Sequence, residues 1–173
     1  EESERDADDL DKTKDLAERA RNKNLKSEGL TRNTEDLNLD EQPDQWFYYS
    51  EAGALKRVER DLNFDGVVDV WQHPDQDGQI REEEMDLDHD GRVDVVVYRR
   101  EDGSIERKEL ALEFGRTFTV FKYYDAQEKL LRVEHDEDGD GTPDRFDYYE
   151  DNRVVRTGWD EDGDGTPDRY DNL

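Results

Sequence analysis

From Asp36 onward, the sequence repeats itself about every 25 residues. Successive units start at Asp36, Asp61, Asp86, Ala111, Asp136 and Asp160. Self-similarity at such a period indicates a stacked array in which each unit is one supersecondary element. Hydrophobic residues make up only 31% of the chain, too few for a large two-layer core, and there is no cysteine for disulfides. The sequence therefore predicts small units that are stabilised by something besides apolar burial and sulfur.

Four of the units open with the nine-residue pattern D-x-[DN]-x-D-G-x-x-D, which we call the acidic loop, with positions 1 to 9. Calcium takes six to eight oxygen ligands in a flexible cage, and a glycine at position 6 permits the sharp bend around the ion. We therefore expect calcium ligands at positions 1, 3, 5 and 9, with the main-chain carbonyl of position 7 as a further ligand. These candidate ligands are Asp61, Asn63, Asp65, Val67 and Asp69; Asp86, Asp88, Asp90, Arg92 and Asp94; Asp136, Asp138, Asp140, Thr142 and Asp144; and Asp160, Asp162, Asp164, Thr166 and Asp168.

Two units depart from this pattern. The first has Glu41 where the glycine is expected, so it defines only a partial fifth site, formed by Asp36, Asn38, Asp40 and Asp44. The unit that begins at Ala111 keeps a single acid, Glu113, among its loop positions. We expect this loop to pack on protein, or against a partner, instead of a metal.

The acidic loops resemble the EF-hand calcium loop, but they lack the bidentate Glu at position 12 and their flanks have strand patterns. They are more similar to the calcium repeats of the thrombospondin type 3 class and their bacterial relatives, which share D-x-D-x-D-G-x-x-D. The resemblance covers residues 36–173 as a repeat style, without the thrombospondin cysteines. It implies about four calcium ions. The competing interpretation is a set of Asx-turns without metal, and magnesium is less favoured because it prefers tight octahedral sites.

Each acidic loop is followed by a period-two strand pattern, a short turn and a second strand. Turns such as Asp102-Gly103 predict type I′ hairpins. A two-residue turn there pairs Tyr98 with Arg107 and Val96 with Glu109, so aromatic, Arg and Glu side chains share one face. The predicted fold is all-β: a repeat array of antiparallel β-hairpins in a meander, joined by calcium loops at one edge.

Residues 1–33 differ from this repeat domain, which we assign to residues 34–173. They contain helix formers and opposite charges four residues apart, such as Asp8 and Lys12, but few apolar residues. We expect a short charged tether, helical or disordered, and we leave open an anchor beyond the N-terminus or a helix that covers the sheet edge. Because the chain starts at Glu1 without Met, we expect it to be a processed or trimmed product.

Charge and motifs narrow the function. The chain has 51 acids and 25 bases, a net charge of −26, which argues against nucleic acid and anionic membranes as partners. No apolar run is long enough for a transmembrane helix. The three histidines, His73, His89 and His135, have no nucleophile or second histidine at catalytic spacing, so we expect no enzyme.

The loops are open to solvent, which predicts calcium affinities on the order of 0.1–1 mM, the range of extracellular modules. We therefore expect the protein outside the cytoplasm: in the periplasm, on the outer surface as a lipoprotein, or secreted. The predicted function is a non-enzymatic structural or interaction module, which calcium rigidifies to present a surface to another protein or a surface polysaccharide. The alternatives are a calcium sensor and a carbohydrate-binding module that uses the aromatic face.

Overall fold

The computed structural model describes residues 29–111 and 117–173, and all regular elements in this part of the chain are strands. They are β1 Thr31–Glu35, β2 Gln45–Tyr49, β3 Leu55–Arg60, β4 Val70–Pro74, β5 Ile80–Met85, β6 Val95–Arg99, β7 Ile105–Leu110, β8 Val120–Tyr124, β9 Leu130–His135, β10 Arg145–Glu150, β11 Arg153–Trp159 and β12 Arg169–Asn172. The predicted all-β antiparallel meander is confirmed. No helix in the described residues is long and apolar enough to cross a membrane.

The described residues divide into two compact units, a first that ends at Gly78 and a second that begins at Gln79. Within the first unit, β1 to β4 pair antiparallel in chain order. Within the second, β5 to β12 do the same. The tether expected over residues 1–33 lies outside the described residues up to residue 28. Its last three residues belong to β1, because they pair with β2 through contacts such as Arg32 with Tyr48.

The predicted pairing register is confirmed. Tyr98 lies opposite Arg107, Val96 opposite Glu109, and in the first unit Tyr48 lies opposite Arg57. Two lateral rows therefore cross the aromatic face of the second unit. The Tyr–Arg row consists of Glu82, Tyr98, Arg107, Tyr123, Arg132, Tyr148, Arg156 and Asn172. The aromatic–Glu row consists of Glu84, Val96, Glu109, Phe121, Glu134, Phe146, Gly158 and Tyr170.

Burial is modest and occurs on both faces. In the first unit, Trp46, Tyr48 and Val68 form a buried cluster against which Leu30 and Trp71 pack. The opposite face is less polar than the sequence indicates, because valines there are buried as well. They are Val58, Val97 and Val133. Small aliphatic residues on this face thus add apolar area that the aromatic pattern does not reveal.

The turns differ from the type I′ prediction. At the β6–β7 hairpin, Gly103 has φ 84° but Asp102 is not in the left-handed region, and the register shifts between Tyr98 and Arg99. Arg100 and Ser104 close a three-residue loop in which the glycine takes the left-handed position, a type I turn followed by a bulge. A turn with two positive φ values, as type I′ requires, occurs instead at Asp151–Asn152 in the β10–β11 hairpin.

Candidate metal centres

The acidic loops share one backbone conformation. Position 6 is left-handed in each complete loop, with φ between 82° and 95° at Gly66, Gly91, Gly141 and Gly165. Position 4 is left-handed as well, a requirement that we did not infer from the sequence. It is occupied by Phe64, His89, Gly139 and Gly163. The glycines at position 4 of the last two loops were the available signal, because glycine adopts positive φ without steric cost.

The carboxylates at positions 1 and 9 organise the loop backbone. Asp61, at position 1, accepts hydrogen bonds from the N–H of Phe64 at 2.7 Å and of Gly66 at 2.6 Å. Asp69, at position 9, accepts one from the N–H of Leu62 at 2.6 Å. Both side chains are nearly inaccessible, at 3% and 1%. The same bonds to position 1 recur at Asp86, Asp136 and Asp160.

Positions 3 and 5 are more exposed and form a second tier of turns. Asn63 accepts a hydrogen bond from the N–H of Asp65 at 3.0 Å, and Asp65 accepts one from the N–H of Val67 at 2.8 Å. Each corresponding carboxylate in the other loops accepts an equivalent bond from the backbone N–H two residues later. The acceptors are Asp88, Asp90, Asp138, Asp140, Asp162 and Asp164, and the N–H donors to position 5 are those of Arg92, Thr142 and Thr166. The backbone thus donates one hydrogen bond to each of these side chains. The lone pairs that remain on their oxygens are available to a cation.

The partial first loop adopts the complete conformation. Glu41 has φ 73° where the other loops have glycine, and Leu39 has φ 64° at position 4. Asp36 accepts hydrogen bonds from the N–H of both residues, and Asp44 accepts one from the N–H of Leu37. Asn38 and Asp40 occupy positions 3 and 5 and are joined by a side-chain hydrogen bond of 3.2 Å. The fourth loop falls mostly outside the described residues.

Three loops bring carboxylate oxygens together closely enough to share an ion. In each of these loops, one ligand atom from each of three aspartates lies within 4.8 Å of the others. The triplets are Asp86, Asp88 and Asp90; Asp136, Asp138 and Asp144; and Asp160, Asp162 and Asp168. In the loop at Asp61 the third position is Asn63, whose amide donates to Asp65 at 3.0 Å. The chemistry of these donor sets fits a hard divalent cation, because all of the side chains offer oxygen.

The electrostatics show the cost of crowding these groups. Asp168 and Asp164 raise the pKa of Asp162, since a like charge disfavours ionisation. Burial raises the pKa of Asp61, although the N–H groups of Gly66 and Phe64 oppose this shift. Burial also acts to raise the pKa of Asp160, but backbone hydrogen bonds, the one from Gly165 foremost, leave this pKa below its usual value. A bound cation would relieve the repulsion that raises the pKa of Asp162.

The Tyr–Arg row is the second notable arrangement. The guanidinium carbon of Arg107 lies 4.3 Å from the ring centroid of Tyr98, and that of Arg132 lies 4.6 Å from that of Tyr123. Arg57 and Tyr48 in the first unit have the same geometry, at 4.3 Å. A glutamate two residues further along the strand binds each of these guanidinium groups. These pairs are Arg57–Glu59, Arg107–Glu109 and Arg132–Glu134, at 3.0, 2.9 and 2.7 Å.

Two of the histidines are adjacent to acidic-loop ligands in the sequence, since His89 lies within a loop and His135 directly before one. His89 occupies a left-handed position with φ 63°. The Nε2 atom of His135 lies 3.2 Å from a carboxylate oxygen of Asp147. Burial, with the charge of Arg145, nevertheless lowers the pKa of His135.

Comparisons with known proteins identify no family. No protein-family model matches the chain, and no curated protein matches it. A solved structure of accessory secretory protein 1, 2 and 3 in Streptococcus pneumoniae is similar to it at a TM-score of 0.37, with 14% identity over 70% of this chain and 19% of that chain. A structure of a GtfA/B complex bound to UDP and GlcNAc is similar at 0.34, with 13% identity over 75% and 27%. The chain spans less than a third of either protein, and TM-scores this low carry no argument about function.

Proposed function

We propose that the chain is a non-enzymatic calcium-binding module that calcium rigidifies so that it presents a surface to a partner outside the cytoplasm. The observation that carries this proposal is the convergence of three aspartate oxygens within 4.8 Å in each of three loops. The loops recur at a 25-residue period, and the resemblance to thrombospondin type 3-like repeats points the same way. Calcium is favoured over magnesium because these are all-oxygen sites in a loop that can adjust its geometry.

In this proposal, different positions of the acidic loop have different roles in binding an ion. The aspartates at positions 1 and 9 hold the backbone in its turn, as the buried Asp61 and Asp69 do through bonds to Gly66 and Leu62. The exposed side chains at positions 3 and 5 are placed beside them on the solvent side. A bound divalent cation supplies two positive charges that offset the repulsion among the carboxylates.

The loops also control the joint between hairpins. Within the second unit, the N–H of Asp136 donates to the carbonyl of Thr119, and the N–H of Asp160 donates to the carbonyl of Asp144. The loop from Asp160 is therefore bonded to the acidic loop before it, and the loop from Asp136 is bonded to position 9 of the unit that begins at Ala111. Ordering one loop consequently helps to fix the next, and binding to a site that exists only in the folded chain contributes free energy of folding.

The test is calorimetric titration of the full chain with calcium and with magnesium, together with circular dichroism in chelator. We expect about four calcium ions at weak to moderate affinity, weaker magnesium binding, and a higher melting temperature with calcium. The matched variants are D136N and D151N. Each removes one negative charge, but Asp136 is a buried position 1 residue and Asp151 lies in an exposed turn.

The expected result is the loss of one calcium ion in D136N and unchanged stoichiometry in D151N. Absence of calcium binding in the parent chain would contradict the proposal and leave the loops as hydrogen-bonded turns. Tight binding that changes surface exposure without raising the melting temperature would indicate a calcium sensor instead.

A further inference from the structure

One guanidinium in the Tyr–Arg row lacks the glutamate partner that its counterparts have. Arg107 and Arg132 are bound by the glutamates two residues further along the strand. The corresponding residue after Arg156 is Gly158. Within the residues that the structure describes, Arg156 forms no ion pair with a carboxylate, and its contacts are with aromatic rings.

Steric crowding explains why residue 158 is a glycine. A Cβ atom added at Gly158 would lie 2.8 Å from the Cβ of Pro167 and 3.1 Å from the ring of Tyr170. No side chain fits there without displacing the residues that lead into β12. Packing of the last acidic loop therefore excludes a glutamate, and the guanidinium of Arg156 is left exposed without a built-in carboxylate partner.

Two tyrosine rings contact this guanidinium through cation–π interactions. Its carbon lies 4.3 Å from the ring centroid of Tyr148 and 4.6 Å from that of Tyr170. The two ring centroids are 6.2 Å apart and their planes are inclined by 48°. A cation–π contact attracts the charge of the guanidinium to the ring face and does not use its N–H donors as hydrogen bonds. The guanidinium fork therefore still has N–H donors for the two oxygens of a carboxylate.

Arg156 borders an open cleft of about 740 Å³, within the size range of small-molecule sites. Tyrosines line its wall, among them Tyr123, Tyr148 and Tyr149, and Glu150 and Asn172 are at its polar rim. The second guanidinium in the cleft, that of Arg132, is already paired with Glu134 at 2.7 Å. The cleft thus offers aromatic surface, hydrogen-bonding rim groups and one uncommitted cation.

We propose that this cleft binds a sugar that carries a carboxylate, with the carboxylate on Arg156 and the ring against the tyrosines. The hydroxyl groups of the sugar would then reach Glu150 and Asn172 at the rim. A polyanionic peptide fits less well than a sugar with one carboxylate, because Arg156 pairs with one negative charge while Glu150 and the net charge of −26 repel every further one. The inference rests on the proposed function, because the loop from Asp160 to Asp168 leads directly into β12, which carries Tyr170 and Asn172.

The experiment is an NMR titration of the calcium-loaded full chain with a disaccharide of one glucuronic acid and one neutral hexose. Cellobiose serves as the neutral probe, and N-acetylglutamate as a carboxylate without a sugar ring. The variants are R156Q, R156K and R107Q. Arg107 is the matched control, because it stacks on Tyr98 in the same way but is already paired with Glu109. Melting curves verify that each variant is folded.

We expect the uronic disaccharide to bind at least about tenfold more tightly than either other probe, because a bidentate charge-assisted pair is lost without the carboxylate. R156Q should weaken binding by a similar factor, R156K should give an intermediate loss, and R107Q should leave it unchanged. Equal binding of cellobiose or N-acetylglutamate, or unchanged binding in folded R156Q, would overturn the proposal.

Calcium stoichiometry is measured by calorimetry on the same samples. Calcium binding without disaccharide binding would reject the cleft proposal alone. Disaccharide binding without calcium binding would reject the metal proposal and support the cleft.

Discussion

At the scale of single residues, the aspartates at positions 1 and 3 have different functions. Asp86 is 2% exposed and accepts hydrogen bonds from His89 and Gly91, one on each oxygen, at 2.8 and 2.7 Å. Asp88, at position 3, is exposed and accepts one from Asp90 through a single oxygen. Asp86 therefore maintains the loop even without an ion, whereas Asp88 is positioned mainly to bind an ion.

Replacing each of these residues by asparagine separates the two functions. D86N should lower the free energy of unfolding in chelator by about 1–3 kcal/mol, because an amide can accept through only one atom and leaves a buried N–H unpaired. D88N should change it little, since Asn63 already makes the corresponding bond to Asp65 at 3.0 Å. Urea denaturation in chelator measures both, and equal losses would show that position 3 is equally structural.

The sequence predicted the bend at the position 6 glycine but not the complete loop conformation. Alternating oxygens and the glycine at position 6 indicate a bend around an ion. The left-handed residue at position 4 was missed because Phe64 gives no signal of positive φ and His89 gives only a weak one. The need for glycine at position 158 could not be predicted from the sequence either, because the steric obstruction by Pro167 depends on how the last loop folds over β11.

At the scale of strands and hairpins, one arginine joins neighbouring turns. Arg100, directly after β6, donates to the carbonyl of Ile105 at 2.6 Å, in its own hairpin. It also donates to the carbonyls of Asp125 at 3.1 Å and of Tyr124, in the next hairpin. A planar fork with five donors can satisfy several carbonyls at once, which gives the turn edge a link comparable to that of the acidic loops.

We expect R100A to lower the free energy of unfolding by about 1–3 kcal/mol, because several partly buried carbonyls lose their donor. R99A is the matched control. Arg99 makes one hydrogen bond of 3.4 Å to Gly103 and an ion pair of 3.8 Å to Glu83, so its loss should cost less. Thermal and urea denaturation of the two variants measure the difference, and a larger effect in R99A would contradict the assignment.

Strand pairing was predictable at this scale, and turn geometry was not. Alternation and a glycine near the turn determine that Tyr98 lies opposite Arg107. The bulge after Tyr98 depends on backbone angles that Asp-Gly permits but does not require. The role of Arg100 depends on the distance between adjacent hairpins, which no local pattern specifies.

At the scale of the whole molecule, negative charge opposes compaction. The excess carboxylates behind the net charge of −26 repel one another, whereas ion pairs such as Arg107–Glu109 contribute attraction. Pairs exposed to solvent are individually weak. Repulsion should therefore dominate the response of the metal-free chain to salt.

We predict that the melting temperature of the metal-free chain rises as NaCl increases from about 10 mM to about 500 mM, because the Debye length falls from about 30 Å to a few ångströms. The increase should be smaller with saturating calcium, which already offsets part of the charge. Differential scanning calorimetry at each salt concentration measures it. A fall with salt in the metal-free chain would mean that ion pairs outweigh repulsion.

The strict chain-order pairing also determines how the protein responds to force. Within the second unit, every hydrogen-bonded ladder joins strands that are consecutive in the chain, and β5 and β12 are the first and last of them. Tension applied through these two strands loads the ladders from the outside inward, so bonds rupture a few at a time at modest force. We expect extension to proceed by roughly one hairpin per step.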